Sequence, residues 1–425
     1  MKRKYLNLRN LTPAFMFGVC LAGQAQVTDP PNLYNAGELT VSENEVLTVL
    51  GKFDNGSGST FTNLGEVHFF DDFSNEGFFM FSKTTSGSKV FFSQLEGAKD
   101  KLKISGGVNL TELENVFFNS EGIDLQNDIS IAGKASFERG NVVVNMPLNG
   151  SITFKEGASI AKVGDGSHVV GMADKEGKKE LEMPVGDGTY YRPITFGESK
   201  EVKDVFQAQY KKSNPLIGRE HKERTSIIEI NNAEYWEVDN KGSNKSIILS
   251  LSWDERTTPS SLLANPEKGL HILRWDDIAK KWVDEGGIVD VVNKTVKTPI
   301  EVTAKGIFTL GMVDTDYNSE IKIYNAVSPN GDGLNDYFII TNINKYPNTV
   351  QIMNRWGSKV YEASNYDANG DGSMNVFKGE AEGKGVSSSG KLPTGTYYYV
   401  VKYELRTAKG SETVTKSGYL HLENN

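Results

Sequence analysis

Hydrophobic and polar residues alternate in short runs along most of the chain. Between about residues 39 and 170 such runs, for example 66–69 and 129–131, are separated by Asn, Gly and Asp. Alternation over about four to eight residues with turn residues at both ends is typical of half-buried strands, whereas amphipathic helices repeat every three or four residues. The pattern therefore predicts an all-β protein with few helices.

A weak repeat lies within this stretch. Residues 61–65 (FTNLG) are followed twelve positions later by residues 73–77 (FSNEG), and less faithful versions occur at 118–122 and 137–140. A strand followed by an Asn or Gly corner is the expected unit of a β-solenoid, in which apolar residues stack from coil to coil. We predict an irregular β-solenoid-like region over residues 26–175. An ordinary β-sandwich with similar hairpin turns is the alternative, because the period is irregular.

A charged break at residues 175–180 (KEGKKE) predicts a domain boundary near residue 175. Alternation then resumes, and we predict a middle β-sandwich over residues 176–313. Its expected strands are 226–230, 235–238, 246–252, 270–275 and 306–310. Four tryptophans fall in this region, and they are Trp236, Trp253, Trp275 and Trp282. We expect them to pack in a core, and an aromatic platform for stacking sugars is the alternative.

The last part of the chain is predicted to be a separate all-β module. Residues 314–320 (DTDYNSE) are polar and acidic, which is typical of a linker, and a new set of alternating segments begins at Ile321. We assign residues 321–425 to a C-terminal domain with an immunoglobulin-like β-sandwich fold. The chain would thus contain three β-rich regions in succession.

The composition excludes several classes of protein. A single cysteine and five histidines cannot form a disulfide framework, a zinc finger or a thiol-ligated cluster. Hydrophobic residues make up 38% of the chain and charged residues 24%, which is enough apolar material for packed cores. The formal net charge of −9 opposes binding to nucleic acids and to anionic membrane surfaces.

The first 25 residues have the pattern of a secretory signal peptide. A basic start is followed by an apolar segment, residues 11–22, that is too short for a stable membrane-spanning helix. Small residues at Gly23 and Ala25 place the expected cut between Ala25 and Gln26. Cys20 would be removed with this leader, because Val19 does not suit a lipoprotein cleavage motif. The mature chain is then expected to lack cysteine, to be more acidic and to have no transmembrane segment.

Three clusters in the C-terminal region are more specific than the rest of the sequence. The first is a dense string of turn formers, the second contains an Arg-Trp pair, and the third leads into a run of tyrosines. They comprise Ser328, Pro329, Asn330, Gly331, Asp332, Gly333, Asn335 and Asp336; then Asn354, Arg355, Trp356 and Gly357; and then Pro393, Gly395 and Tyr397. Pro, Gly, Asn and Asp together predict a rigid loop in the first cluster. We expect Trp356 and residues 397–399 to pack in the domain core, and direct contact with a receptor is the alternative.

Together, in this order and position, the three clusters closely resemble the gliding-motility-associated C-terminal domain of Bacteroidetes proteins. This family is the type B sorting domain of the type IX secretion system. The resemblance implies a chain that passes the inner membrane by its leader, folds in the periplasm and is recognised by the outer-membrane machinery. It also implies a secreted or surface location. Residues 183–188 and 191–194 resemble passenger segments that precede such domains, but that likeness implies no activity.

A calcium loop is a further candidate in the C-terminal domain. Asp367, Asn369 and Asp371 stand at alternate positions, and Gly372 at the sixth position allows a sharp turn. The twelfth position should carry a bidentate carboxylate, but it holds Lys378. We therefore weigh weak calcium binding against a plain Asn/Gly turn, and otherwise expect no cofactor.

We find no recognisable catalytic constellation in the sequence. A nucleophile elbow, a zinc-protease helix, a phosphate-binding loop and a Ser-His-Asp set are all missing. The leading hypothesis is a non-enzymatic protein whose passenger acts in adhesion or binds a polysaccharide, a matrix or another surface ligand. The alternative is a secreted carbohydrate-active enzyme on a β-solenoid, since such an enzyme needs only acidic or basic side chains on neighbouring coils.

Overall fold

The computed structural model describes residues 5–8, 30–84, 87–95, 97–98, 100–107, 109–221, 226–242, 245–314, 321–382, 390–407 and 410–424. The predicted cut between Ala25 and Gln26 lies outside them. The described residues are nearly all β, which confirms the predicted fold class. Their helical segments are one α-helix, Ser260–Leu263, and 3-10 turns at Met146–Leu148, Pro266–Lys268 and Ile343–Lys345.

The chain forms two compact units. The first contains residues 1–194, 199–210 and 239–244, and the second contains residues 195–198, 211–238 and 245–425. The strands up to residue 211 are short. In chain order they are β1 (Tyr5–Leu8), β2 (Asn32–Asn35), β3 (Glu38–Val41), β4 (Val46–Val49), β5 (Phe53–Asn55), β6 (Thr60–Asn63), β7 (Glu66–Phe69), β8 (Phe73–Asn75), β9 (Phe78–Phe81), β10 (Lys89–Ser93), β11 (Leu102–Gly106), β12 (Thr111–Leu113), β13 (Asn115–Asn119), β14 (Ile123–Leu125), β15 (Asp128–Ile131), β16 (Lys134–Arg139), β17 (Val142–Val144), β18 (Ser151–Phe154), β19 (Ser159–Ala161), β20 (Val169–Val170), β21 (Ala173–Glu176), β22 (Leu181–Met183), β23 (Val185–Gly186), β24 (Ile194–Phe196) and β25 (Val205–Lys211).

The first unit is a β-solenoid of about seven turns, as predicted. Successive strands go in turn to three parallel sheets, so each coil contributes one strand to each sheet. We name them sheet A (β2, β5, β8, β11, β14, β17, β20 and β23), sheet B (β3, β6, β9, β12, β15, β18 and β21) and sheet C (β4, β7, β10, β13, β16 and β19). β1 extends sheet A by pairing in parallel with β2, and β25 extends sheet B by pairing antiparallel with β21.

The coil is longer than the sequence repeat indicated. In sheet A, Phe53 of β5 lies beside Phe73 of β8, twenty positions later. The twelve-residue spacing instead relates Phe61 of sheet B to Phe73 of sheet A. It arises because an Asn-x-Gly corner follows strands of both sheets, and therefore occurs more than once per coil. The type of fold was predictable from these corners, but their spacing was not the coil period.

Aromatic rings fill the solenoid core in its first coils. The rings of Phe61 and Phe79 stack with centroids 4.6 Å apart, and those of Phe53 and Phe73 stack at 5.5 Å. All four side chains are fully buried. Burial of one such side chain is worth about 1.5–3 kcal/mol, so these stacks are a main source of cohesion between coils.

A ladder of buried polar side chains runs beside this aromatic core. The Nδ2 of Asn35 donates to the Oδ1 of Asn55 at 2.8 Å, and the Nδ2 of Asn55 donates to the Oδ1 of Asn75 at 2.8 Å. The ladder continues to the Thr111 hydroxyl, which accepts from Asn75 at 2.9 Å and from Asn127 at 3.3 Å. Identical amides can satisfy one another in this way only when successive coils are in register.

The solenoid continues past the predicted boundary near residue 175. β23 pairs in parallel with β20, so sheet A extends to Gly186. His168 organises this end, because its Nδ1 donates to the Gly164 carbonyl and its Nε2 accepts from the Gly188 amide. Arg192 is buried as well, and its guanidinium lies over the Tyr210 ring. The segment that resembled a passenger motif therefore forms the closing end of the solenoid.

The second unit contains longer, mainly antiparallel strands. In chain order they are β26 (Ile227–Ile230), β27 (Tyr235–Asn240), β28 (Ser246–Ile247), β29 (Leu249–Ser252), β30 (Leu270–Asp276), β31 (Lys281–Asp284), β32 (Ile288–Asp290), β33 (Thr295–Lys297), β34 (Val302–Thr303), β35 (Gly306–Val313), β36 (Ala326–Val327), β37 (Asn348–Met353), β38 (Lys359–Ser364), β39 (Glu380–Ala381), β40 (Gly390–Lys391), β41 (Gly395–Thr407) and β42 (Gly410–Leu422). Each strand that the sequence predicted between residues 226 and 313 overlaps one of these.

The middle region has antiparallel sheets. β27, β35, β30 and β31 are neighbours in that order, β26 also pairs with β35, and β29, β33 and β32 form a second set.

Trp275 and Trp282 lie opposite each other on β30 and β31, with ring centroids 5.6 Å apart. All four tryptophans of the region are at least nine-tenths buried, as expected for core residues. A sugar platform built from them is excluded by this burial.

The C-terminal region is a five-stranded sheet in the order β36, β42, β41, β37 and β38, together with the two-stranded sheet of β39 and β40. Its core contains Phe338, Tyr366, Phe377 and Tyr403. The Tyr366 hydroxyl donates to the Phe338 carbonyl at 2.6 Å and accepts from the Phe377 amide at 3.0 Å. The all-β prediction is confirmed here, and the finer immunoglobulin-like assignment stays a prediction.

Candidate sorting surface and passenger face

The sheet register brings the three C-terminal sequence clusters to one end of the five-stranded sheet. Val327 at the end of β36 lies beside Leu422, which lies beside Gly395 at the start of β41. Met353 at the end of β37 lies beside Tyr398 near the start of β41. The first cluster follows β36, the second follows β37, and the third spans the start of β41. Segments that are far apart in sequence therefore lie at the same end of the sheet, where β42 and β41 separate β36 from β37.

The first cluster is a loop that its own side chains hold together. The Asp336 carboxylate accepts from the Gly331 amide at 2.7 Å and from the Gly333 amide at 2.8 Å. The Asp332 carboxylate accepts from the Leu334 amide at 2.7 Å and from the Asn330 side chain at 2.9 Å. These bonds lower the pKa of Asp332, and the bond from the Leu334 amide has the largest effect.

Backbone conformation completes the rigid loop. Gly331 and Gly333 have φ of 80° and 85°, and Asn335 has φ of 55°. The Ser328 amide donates to the Asn335 carbonyl at 2.7 Å, which closes the loop at its base, next to Pro329. The predicted rigidity thus has a hydrogen-bonded basis. Leu334 is 70% exposed at the centre of the loop.

The second cluster forms the tight turn between β37 and β38. The Asn354 Oδ1 accepts from the amides of Trp356 and Ser358, both at 3.0 Å. The Gly357 amide donates to the Asn354 carbonyl, and Gly357 has φ of 80°, where a side chain would be strained. This turn holds Arg355 and Trp356 at its tip.

Trp356 is not a core residue, which corrects the sequence-based expectation. Its side chain is 68% exposed, and the Arg355 guanidinium lies 4.1 Å from its ring centroid. The reason is its position: it falls in the turn, beyond the last inward-facing residue of β37. Tyr397 and Tyr399 do enter the packed region, and the Tyr397 hydroxyl donates to the Pro393 carbonyl at 2.8 Å.

The candidate calcium loop lies at the opposite end of the same sheet, after β38. Asp367 is 5% exposed and its Oδ1 accepts from the Gly372 amide at 2.8 Å. The Asp371 carboxylate accepts from the Ser373 amide, and the Asn369 side chain donates to the Ser373 hydroxyl. Among the described residues no group of three or more His, Cys, Asp and Glu side chains is arranged to hold a metal ion. Calcium binding here stays a prediction.

The passenger presents a row of aromatic rings on the outer face of sheet C. Inward residues of these strands are buried, and the alternate residues His68, Phe91 and Phe117 face outward and are half-buried. The His68 and Phe91 rings are 4.3 Å apart with a 3° interplanar angle, and the Phe91 and Phe117 rings are 4.3 Å apart with a 9° angle. Three successive coils thus form one continuous stack.

A polar row runs beside this aromatic row. It is formed by the outward-facing residues two positions earlier on the same strands. Glu66, Lys89 and Asn115 lie next to one another on neighbouring strands. The Glu66 carboxylate bonds to the His68 Nε2 at 2.7 Å and to the Lys89 Nζ at 3.3 Å. Its pKa is lowered, chiefly by the bond to His68. Neither row was predicted from the sequence, although both lie in the outward alternation of β7, β10 and β13.

Asp128 and Asp174 are two acidic side chains on sheet B. Asp174 is 5% exposed, and its oxygens accept from Gln207 at 2.6 Å and from Lys241 at 2.8 Å. Burial, with a smaller effect of Asp174, raises the pKa of Asp128 on the same sheet. Both Asp174 oxygens have protein partners, so this acidic pair resembles a structural network more than an open substrate site.

One histidine forms a buried acid–imidazole pair. His271 Nδ1 lies 2.9 Å from the Asp284 Oδ1, and both side chains are buried. The other Asp284 oxygen has no hydrogen-bond partner. Within the part of the chain that the structure describes, no serine hydroxyl or cysteine thiol bonds to the His271 ring. This pair therefore lacks a nucleophile in place.

A solenoid followed by antiparallel sheets and a terminal domain with rigid loops defines a modular all-β protein with a C-terminal recognition domain. Residues 321–422 match the family model of the CHU_C type IX secretion signal domain. The C-terminal region is therefore a type IX secretion signal domain, and the predicted resemblance is confirmed. A search of curated proteins and a search of solved structures gave no match.

This signal domain indicates how the chain is exported and where it is located. It marks the protein for secretion by the type IX system and implies an interaction with that machinery. The protein is accordingly secreted or displayed on the cell surface. None of the helices in the described residues is long and apolar enough to cross a membrane.

Proposed function

We propose that the passenger is an adhesion module and that its solenoid binds an extended polysaccharide along the outer face of sheet C. The observation that carries this proposal is the continuous, half-exposed stack of His68, Phe91 and Phe117. A row of aromatic rings that stays partly open to solvent on a sheet face is typical of a ligand-binding surface.

The stack geometry indicates a long ligand rather than a single sugar. The ring faces are turned toward one another, so they offer their edges outward and form a low apolar ridge along the solenoid axis. A ligand that contacts several coils at once would gain from every ring. Hydroxyl groups of a polysaccharide can bond to Glu66, Lys89 and Asn115, which follow the ridge on one side.

We further propose the route and division of the chain that the sequence indicates. Residues 1–25, which include β1, act as the leader and are removed between Ala25 and Gln26, so the mature solenoid begins at β2 and the protein reaches the outer membrane through the periplasm. Residues 26–175 and 176–313 belong to the passenger, 314–320 to the linker and 321–425 to the signal domain. N-terminal sequencing of the exported protein tests the cut: an intact leader on the exported chain would refute it.

The binding proposal is tested with the purified mature protein and an array of plant, algal and host polysaccharides. We expect saturable binding to at least one polymer without release of products. A Phe91→Ala/Phe117→Ala variant should bind about tenfold or more weakly, because it removes two of the three rings. Phe78→Ala is the matched control, since Phe78 is 52% exposed but lies on β9 of sheet B.

Two results would contradict this function. One is the absence of binding to every polymer on the array, and the other is binding that the Phe91→Ala/Phe117→Ala variant retains in full. Release of oligosaccharide products would instead support the enzyme alternative. Thermal unfolding of each variant checks that the solenoid is intact, since the affected side chains are only half-buried.

A further inference from the structure

Two of the three clusters at the sheet end each display one exposed apolar side chain on a rigid support. Leu334 is 70% exposed in the first loop and Trp356 is 68% exposed in the turn after β37. A large apolar side chain held in water by a hydrogen-bonded turn gains nothing for the stability of its own domain. Trp is moreover the residue type most enriched at the centres of protein interfaces.

The charged groups of the first loop are already used within it. Both oxygens of Asp336 and both oxygens of Asp332 accept hydrogen bonds from the loop itself. The carboxylates therefore shape the loop, and Leu334 is the side chain that the loop presents outward. Leu334 is therefore the exposed apolar side chain that this loop offers to a partner.

The second turn adds a cation to an aromatic ring. The Arg355 guanidinium covers the Trp356 ring at 4.1 Å, an arrangement worth about 0.5–1 kcal/mol at an exposed site. This stacking favours one orientation of both side chains before any partner binds. A pre-ordered pair loses less conformational entropy on binding than two free side chains would lose.

We propose that Leu334, Arg355 and Trp356 form the contact by which the type IX machinery recognises this domain. Their partner is a protein component of the machinery that offers an apolar recess for the indole and a carboxylate for the guanidinium. Recognition by exposed side chains explains why the sequence clusters lie in loops at one sheet end while the strands between them only position these loops.

The test uses the full-length tagged chain in a host that has a type IX secretion system. We expect Trp356→Ala, alone or with Leu334→Ala, to reduce the exported fraction about tenfold, with accumulation in the periplasm. Trp356→Phe should retain most export, because it keeps an aromatic face for Arg355. Arg355→Gln should reduce export less than Trp356→Ala does. Tyr324→Ala is the matched control, since Tyr324 is 46% exposed in the same domain and lies outside all three clusters.

Two measurements separate recognition from misfolding. The purified variants should melt within a few degrees of wild type, because the substituted side chains are exposed. In addition, p-benzoylphenylalanine in place of Trp356 should crosslink to a type IX component on illumination, whereas the same group in place of Tyr324 should not. Wild-type export of the Trp356→Ala/Leu334→Ala variant would overturn the proposal. So would the absence of crosslinks at position 356 in a protein that is exported.

Discussion

At the scale of single residues, Lys175 shows how the solenoid accommodates a charge. Its side chain is 1% exposed, its Nζ donates to the Gly177 carbonyl at 2.6 Å, and the Phe206 ring lies nearby. Burial lowers the pKa of Lys175 to about 8 from 10.5, with Glu156 and Asp204 opposing the shift. A buried amine with a lowered pKa costs stability whenever the pH keeps it charged.

This lysine gives a prediction about pH. Between pH 8 and 10.5 the unfolded chain binds more protons than the folded chain, so wild-type stability rises with pH across this window. Replacing the amine by Lys175→Met removes the cost. We expect the free energy of unfolding at pH 7 to increase by up to about 3 kcal/mol, and this gain to shrink between pH 8 and 10.5.

Denaturant unfolding at several pH values measures the effect. The Gly177 carbonyl keeps a donor in the variant, because the Ser199 hydroxyl also bonds to it at 2.8 Å. Lys103→Met, on the exposed face of β11, is the control and should change stability little at any pH. A loss of stability for Lys175→Met at pH 7 would show that its hydrogen bond outweighs the cost of burying the charge.

Residue-scale prediction from sequence succeeded where local chemistry decides the structure. The turn residues of the first cluster predicted a rigid loop, and the side chains of Asn330, Asp332 and Asp336 accept hydrogen bonds from amides within it. It failed for Trp356, because hydrophobicity alone placed this residue in the core. Trp356 is exposed because it lies in the turn between β37 and β38 and not within a strand. The position of that turn cannot be read from hydrophobicity.

At the scale of elements, the Asn ladder links coils that are about twenty residues apart. Asn55 is its most connected member: its Oδ1 accepts from Asn35 and from Ser59, and its Nδ2 donates to Asn75 and to the Phe78 carbonyl. Removing one amide would therefore leave several buried groups without partners. Each such group costs about 1–3 kcal/mol.

We accordingly predict that Asn55→Ala destabilises the solenoid by about 2–4 kcal/mol, as measured by denaturant unfolding. Asn119→Ala is the control, since Asn119 is exposed at the end of β13 and should cost less than about 0.5 kcal/mol. Equal effects of the two substitutions would contradict a structural role for the ladder.

The element scale also explains what the sequence could not supply. Strands and corners were visible as alternation and Asn-x-Gly signals, but the coil period was not. The aromatic row on sheet C was invisible as well, because His68, Phe91 and Phe117 are unevenly spaced along the chain. Only the register of β7, β10 and β13 places them side by side.

At the scale of the whole molecule, export should depend on the signal domain and binding on the solenoid. We predict that deleting residues 321–425 leaves the passenger in the periplasm and abolishes its secretion. The measurement is fractionation of cells that express a tagged passenger, with the full-length tagged chain as control. Secretion of the truncated chain at the normal level would show that another part of the protein carries the signal.

The three-sheet solenoid has a consequence for how such a passenger can change in length. Each coil pairs with the coil before and the coil after it, and a further coil would repeat the same contacts without altering the girth. Duplication or loss of a coil would lengthen or shorten the passenger while its cross-section stays constant. The passenger can therefore gain or lose binding surface in steps of one coil.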